Sequence, residues 1–221
     1  MKHLVTLFLV FLSICSYAQK DSLQIGDRYW EDQLYINISY NILSNQPKEL
    51  NVSGFSFGFS GGYIKDIPLV KSSKIALGVG LGYGFDSFNH HLKVVEENLV
   101  TLKVANVITV DKLKSHNIEM PIQFRLRTST VNSYSFWRIY TGIKLSYNLN
   151  NSFSYTDSDT IISTSNLPKY NKFQTGLTLS VGYSTFNFHV YYGLTPILKN
   201  GSSNKNDNTN IIRIGLSFYL L

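Results

Sequence analysis

The stretch Ile75-Ala76-Leu77-Gly78-Val79-Gly80-Leu81-Gly82-Tyr83-Gly84-Phe85 alternates strictly. Its odd positions are large and apolar, and its even positions are alanine or glycine. Side chains in a strand point to opposite faces with period two, so this stretch is a β-strand with one bulky apolar face and one nearly bare face. A row of four glycines packs poorly against a second sheet. It suits the interior of a narrow barrel, where large neighbours need room. Odd positions such as Val79 are then expected to face lipid, and even positions such as Gly80 the lumen.

The same period recurs along the chain. Leu34 to Ile42, Phe55 to Phe59, Ile118 to Leu126, Trp137 to Leu149, Phe173 to Tyr183, Phe186 to Leu194 and Ile212 to Leu220 all alternate apolar with small or polar residues. With 75–85 these make eight strands. Most match the ~9–11 residues a tilted strand needs to cross a membrane, against ~5–6 for an average soluble strand. The reading is an all-β, eight-stranded antiparallel transmembrane β-barrel; a secreted sandwich is the competing architecture. An even strand count suits an outer-membrane barrel. The gaps 43–54, 86–117, 150–172 and 195–211 are long, while 64–74, 127–136 and 184–185 are short. Outer-membrane barrels have long exterior loops and short periplasmic turns, so both termini are expected on the periplasmic side. Apolar pairs in 92–110, such as Val94-Val95 and Val107-Ile108, leave ten strands as the alternative.

Composition agrees. Charged residues are 15% of the 221, hydrophobic residues 43%, and there are 15 Tyr, 14 Phe and 15 Gly. A typical soluble domain carries about 25% charged residues. Mean hydropathy is −0.04. Beyond residue 20 no apolar run reaches the ~18 residues of a spanning helix. The net charge of +6 is modest and not clustered with motif residues, which excludes a nucleic-acid reading. The one cysteine, Cys15, leaves no disulfide framework or thiol metal site in a mature chain.

Lys2 and His3 precede an apolar core from Leu4 to Ile14, and Ser16-Tyr17-Ala18 offers small residues for cleavage. This is the pattern of a secretory signal peptide over 1–18. Leu12-Ser13-Ile14-Cys15 is similar to a lipoprotein box, but bulky Ile14 stands where a small residue belongs. Residues 19–33 then form a periplasmic N-terminal segment and 34–221 the barrel. The segment holds Asp21, Asp27, Glu31 and Asp32 against Lys20 and Arg28, and is expected to reach the periplasmic mouth.

The chemistry is sparse. Asp86, His90, His91, Asp111 and His116 could meet at the outer rim as a hydrolase site, but loops are polar for ordinary reasons. His189 is expected as a hydrogen-bonded interior residue. No serine–histidine–acid spacing, phosphate loop or metal-ligand spacing is present, so no catalytic, cofactor-binding or metal site is assigned. The inward charges carry more information. Glu119, Arg125, Arg127, Arg138, Lys144 and Arg213 form a candidate lumen network, in which only Glu119 and Asp86 oppose the cations. A hairpin turn centred between Val131 and Asn132 sets Glu119 opposite Lys144 and Arg125 opposite Arg138. Like charges so placed are destabilising, and the acidic segment before the barrel is one source of relief.

The final strand ends Arg213-Ile214-Gly215-Leu216-Ser217-Phe218-Tyr219-Leu220-Leu221. Arg213, Gly215, Phe218 and Leu220 resemble the C-terminal signal read by the barrel assembly machinery, with Leu221 in place of the usual terminal aromatic.

Trp30-Glu31-Asp32-Gln33-Leu34-Tyr35, Tyr40-Asn41, Gly54-Phe55-Ser56-Phe57-Gly58, Gly62-Tyr63-Ile64-Lys65-Asp66-Ile67-Pro68 and Ile75 to Tyr83 occur in an order that resembles the PorT family of outer-membrane barrels. The Glu-Asp-Gln lead-in and the Lys-Asp-Ile-Pro stretch are its most specific parts. The resemblance implies a non-catalytic barrel in the cell outer membrane, required for protein secretion through the type IX system and linked to gliding motility. It implies outer-membrane lipid and other secretion-system proteins as partners. A structural or adhesive barrel presenting surface loops is the alternative.

Overall fold

The computed structural model describes residues 32–44, 54–70, 72–90, 92–97, 99–104, 111–128, 137–157, 160–168, 170–198 and 209–220. Among the described residues there are eleven strands: β1 (Gln33–Ser44), β2 (Phe57–Pro68), β3 (Ile75–His90), β4 (Leu92–Glu97), β5 (Leu99–Val104), β6 (Asp111–Arg127), β7 (Trp137–Asp157), β8 (Thr160–Ser165), β9 (Phe173–Tyr183), β10 (Phe186–Gly193) and β11 (Asn210–Leu220). Eight of them, β1, β2, β3, β6, β7, β9, β10 and β11, pair antiparallel around a closed ring. The first and last strands seal it, from Leu34 opposite Leu220 to Ser44 opposite Asn210. Closure leaves the ring without a free edge.

The ten-strand alternative is excluded. β4 and β5 pair with each other in a separate two-stranded sheet, and β8 pairs with the outer part of β7. β3, β6 and β7 run 16, 17 and 21 residues, so one side of the barrel continues past the apolar band toward the long connections. Part of what reads as exterior loop in the sequence, including His116, is therefore strand. Both described ends, the strand ends flanking 69–74 and 128–136, and the two-residue connection 184–185 lie at the opposite end, the periplasmic one for this class. Ser184 takes a φ of 54°, the left-handed twist a two-residue hairpin turn favours.

Burial is inverted relative to a soluble protein. The alternating apolar set faces outward, with Leu81 64%, Leu34 56% and Phe188 54% exposed. The largest fully buried side chains include Arg125, Arg138 and Glu119. An apolar surface this extensive is stable in lipid, not in water.

Candidate functional site: the filled lumen

The inward faces of the strands stack three layers inside the ring. Toward the periplasm, Asp66 takes two guanidinium groups, Arg125 at 3.0 Å and Arg127 at 2.9 Å, with all three side chains buried. Arg125 also donates to Gln123 Oε1 at 3.3 Å and lies 4.6 Å over the Tyr140 ring. Arg127 donates to the Ser73 carbonyl at 2.5 Å, and Arg138 to the Ser184 carbonyl at 2.6 Å, so both tie the wall to periplasmic turns. Tyr35, Ile64, Tyr140 and Tyr219 form the apolar packing of this level.

At mid-height Arg213 grips Asp86 with two hydrogen bonds, 2.9 and 2.8 Å. Lys144 Nζ stands 2.9 Å from Glu119, and Arg213 Nη1 stands 3.9 Å from the same carboxylate. Both cations also lie over the Tyr191 ring, Lys144 at 4.7 Å and Arg213 at 4.3 Å. Charges taken from water need opposite charge and hydrogen bonds close by, and this cluster supplies both. The glycine row makes room for both layers. A Cβ at Gly78 meets Arg125 Nε at 2.6 Å, and one at Gly84 meets Glu119 Oε1 at 2.7 Å. A cavity of about 10 Å³ remains between Asp86, Glu119, Lys144, His189 and Arg213, room for roughly one water.

Above this, a ladder of amides runs outward. Asn117 donates to Asp86 at 3.3 Å, Asn148 to Asn117 at 2.8 Å and Asn151 to Asn148 at 2.8 Å. Asn151 Oδ1 then accepts the Leu167 backbone N–H at 2.8 Å. Leu167, Tyr170 and Ile197 close the outer mouth together with Leu43, Phe88, Phe153, Tyr191 and Ile211.

Several sequence expectations are corrected. The β6–β7 ladder sets Arg125 opposite Tyr140, Arg127 opposite Arg138, Glu119 opposite Ser146 and Lys144 opposite Pro121. The hairpin is centred one residue later than expected. A shift of this kind leaves every side chain on its own face, so alternation could not exclude it. Asp66 is a third inward acid. Lys65-Asp66-Ile67-Pro68 reads as a turn, but β2 runs through Pro68, which a strand end tolerates. The unbroken phase Gly62, Ile64, Asp66 was the signal for it. Arg125 and Arg127 thus have an acid of their own.

The rim-hydrolase arrangement does not form from the described members. Asp86 is buried in the lumen on Arg213, whereas His116 faces outward and is hydrogen-bonded to Tyr83. The side chains of His90, His91 and Asp111 lie outside the described residues. His189 is buried in the lumen, and its Nδ1 makes no hydrogen bond among the described residues. In β11, Arg213 and Gly215 face inward, and Phe218 and Leu220 outward, with Phe218 packed edge-on against Phe186 at 5.2 Å. Residues 1–31 and Leu221 lie outside the described residues. Asp32 sits at the periplasmic rim of β2, where it accepts from the Tyr63 hydroxyl at 2.5 Å, the Asp66 N–H at 3.0 Å and Lys65 Nζ at 3.3 Å. Partial burial alone raises its pKa, but these three donors outweigh it and hold the carboxyl below its ordinary value.

A closed eight-stranded ring with an apolar outer band and a salt-bridged interior is an outer-membrane β-barrel protein. The chain belongs to the outer membrane protein beta-barrel domain family, whose sequence model matches residues 17–199. Among solved structures, neisserial surface protein A is similar in fold, with 14% identity and a TM-score of 0.42 over 87% of this chain and 99% of that one. Ail, the attachment invasion locus protein of Yersinia pestis, is similar at 11% identity and a TM-score of 0.41, over 87% and 99%. No curated protein matches the chain in sequence.

Proposed function

We propose that this barrel is a non-catalytic accessory of protein secretion across the outer membrane through the type IX system, with a link to gliding motility. The filled lumen is the observation that carries an accessory role. Salt bridges occupy it at two levels and an apolar cluster closes its outer mouth, so a secreted protein has no path through it. The likeness of 30–35, 54–58, 62–68 and 75–83 to the PorT family supports the choice of system. In this reading residues 1–18 are a signal peptide, 19–33 a periplasmic segment available to other secretion-system proteins, and the last strand a signal for the barrel assembly machinery.

A deletion strain tests it. Loss of many unrelated secreted enzymes from the medium, restored by the intact gene, is the expected result. Normal secretion overturns it. The second reading, an adhesive barrel, is favoured by the wall of β3, β6 and β7 that continues beyond the apolar band. Altered surface adhesion with normal secretion is its signature.

A further inference from the structure

At the outer ends of β1, β2, β3 and β6 the lipid-facing rings form a row. Centroid separations are 5.5 Å for Tyr40–Phe55, 6.3 Å for Phe55–Phe57, 6.0 Å for Phe57–Phe85 and 5.0 Å for Phe85–His116. Tyr83 is hydrogen-bonded to His116 Nδ1 and fixes that imidazole at the end of the row. Beyond it β6 continues outward. Leu113 packs against the mouth cluster and Ser115 donates to Asp86, so Lys112 and Lys114 share the outward face with His116. Their cross-strand neighbours are Asn89 and Ser87 on β3 and Ser154 and Ser152 on β7, all uncharged. Among the described side chains the carboxylates Asp66, Asp86 and Glu119 face the lumen, and Asp32 lies at the other rim.

At ~3.4 Å per residue the two lysine stems begin roughly 7 and 14 Å beyond the imidazole. Aromatic belts mark the boundary of the hydrocarbon, so these ammonium groups stand at headgroup height. Lysine is a compact point charge suited to phosphate. We propose that this face binds a phosphorylated lipid headgroup of the outer leaflet. The ring row from Tyr40 to His116 seats the lipid at the hydrocarbon boundary, and Lys112 and Lys114 take its phosphate.

The test is native mass spectrometry of the purified full chain with diphosphoryl lipid A and with the same lipid dephosphorylated. Wild type retains the phosphorylated form preferentially. Lys112→Gln with Lys114→Gln lowers that retention by roughly five- to twenty-five-fold, about five-fold per charge, and leaves the dephosphorylated form unchanged. Heat-modifiable gel migration verifies that the barrel is intact. If the double variant loses that migration, the single variants replace it, each expected at about five-fold. Wild-type retention by the variants overturns the proposal, as does equal retention of the two lipids by wild type. Lys172→Gln removes the same charge at the outer end of β9; an equal loss there also overturns it. Millimolar inorganic phosphate is expected to leave lipid retention unchanged. If phosphate displaces the lipid, the face is a free-phosphate site and the lipid proposal fails.

Discussion

Lys144 Nζ lies 2.9 Å from Glu119 although the two residues are not opposite each other in their ladder. Glu119 stands across from Ser146, and Lys144 across from Pro121. The ion pair is diagonal, reached by the lysine stem across one two-residue step. Diagonal neighbours on one face are within reach of long side chains.

That pair is the first point of attack. Lys144→Met leaves Glu119 buried, with Arg213 at 3.9 Å as the nearest remaining cation. Breaking one side of a buried pair costs about 3–5 kcal/mol. Urea unfolding in micelles should show a loss of that order. Adding Glu119→Gln should recover a large part of it. If the double variant is as unstable as the single one, packing and not charge explains the loss.

Asp66→Asn tests the lower layer. Arg125 and Arg127 then sit side by side without the carboxylate that both contact. The expected cost is again about 3 kcal/mol or more, partly relieved by Arg127→Gln. An unchanged unfolding midpoint for Asp66→Asn refutes the assigned role.

Sidedness is tested at neighbouring positions on β3. Leu81 is 64% exposed on the outer face. Leu81→Arg should cost roughly 2–4 kcal/mol near the midplane and reduce the assembled barrel in membranes. A cysteine scan across 75–85 with a lipid-soluble reagent should label odd positions. Uniform labelling contradicts the fold.

Asp32 predicts a pH dependence at the periplasmic rim. Its carboxyl is held below the ordinary value, so the folded state favours its ionised form. The stabilisation is complete above the unfolded value of ~3.9 and is lost as pH falls through the lower folded value. The difference in melting temperature between wild type and Asp32→Asn should therefore shrink as pH drops below about 4. A constant difference down to the lowest accessible pH excludes the carboxylate as its source.

Deleting Phe218 to Leu221 removes the ladder positions opposite Leu34, Tyr35 and Ile36 together with two residues of the proposed assembly signal. The exported chain should be degraded in the periplasm. Normal outer-membrane levels of the truncation refute the signal.

The strands and their two faces were legible in the sequence because a side-chain period of two is a local property. Leu34, Leu81 and Phe188 belong outside, and Arg125, Lys144 and Arg213 inside, from alternation alone. The alternation of long and short connections likewise showed which strand ends lie together, so that the start of β1 and the end of β11 fall on the side of the short connections. Register was not legible: any shift that keeps each residue on its face satisfies the same pattern, so only the closed ring decided that Arg127, not Arg125, faces Arg138. The place of Asp66 was hidden by Pro68, which reads as a turn in isolation but ends a strand once β3 is paired beside it. The length of β3, β6 and β7 escaped as well, because beyond the membrane their outward residues become polar and resemble loop. The grip of Arg213 on Asp86, 127 positions apart, exists only because closure brings the last strand against the first.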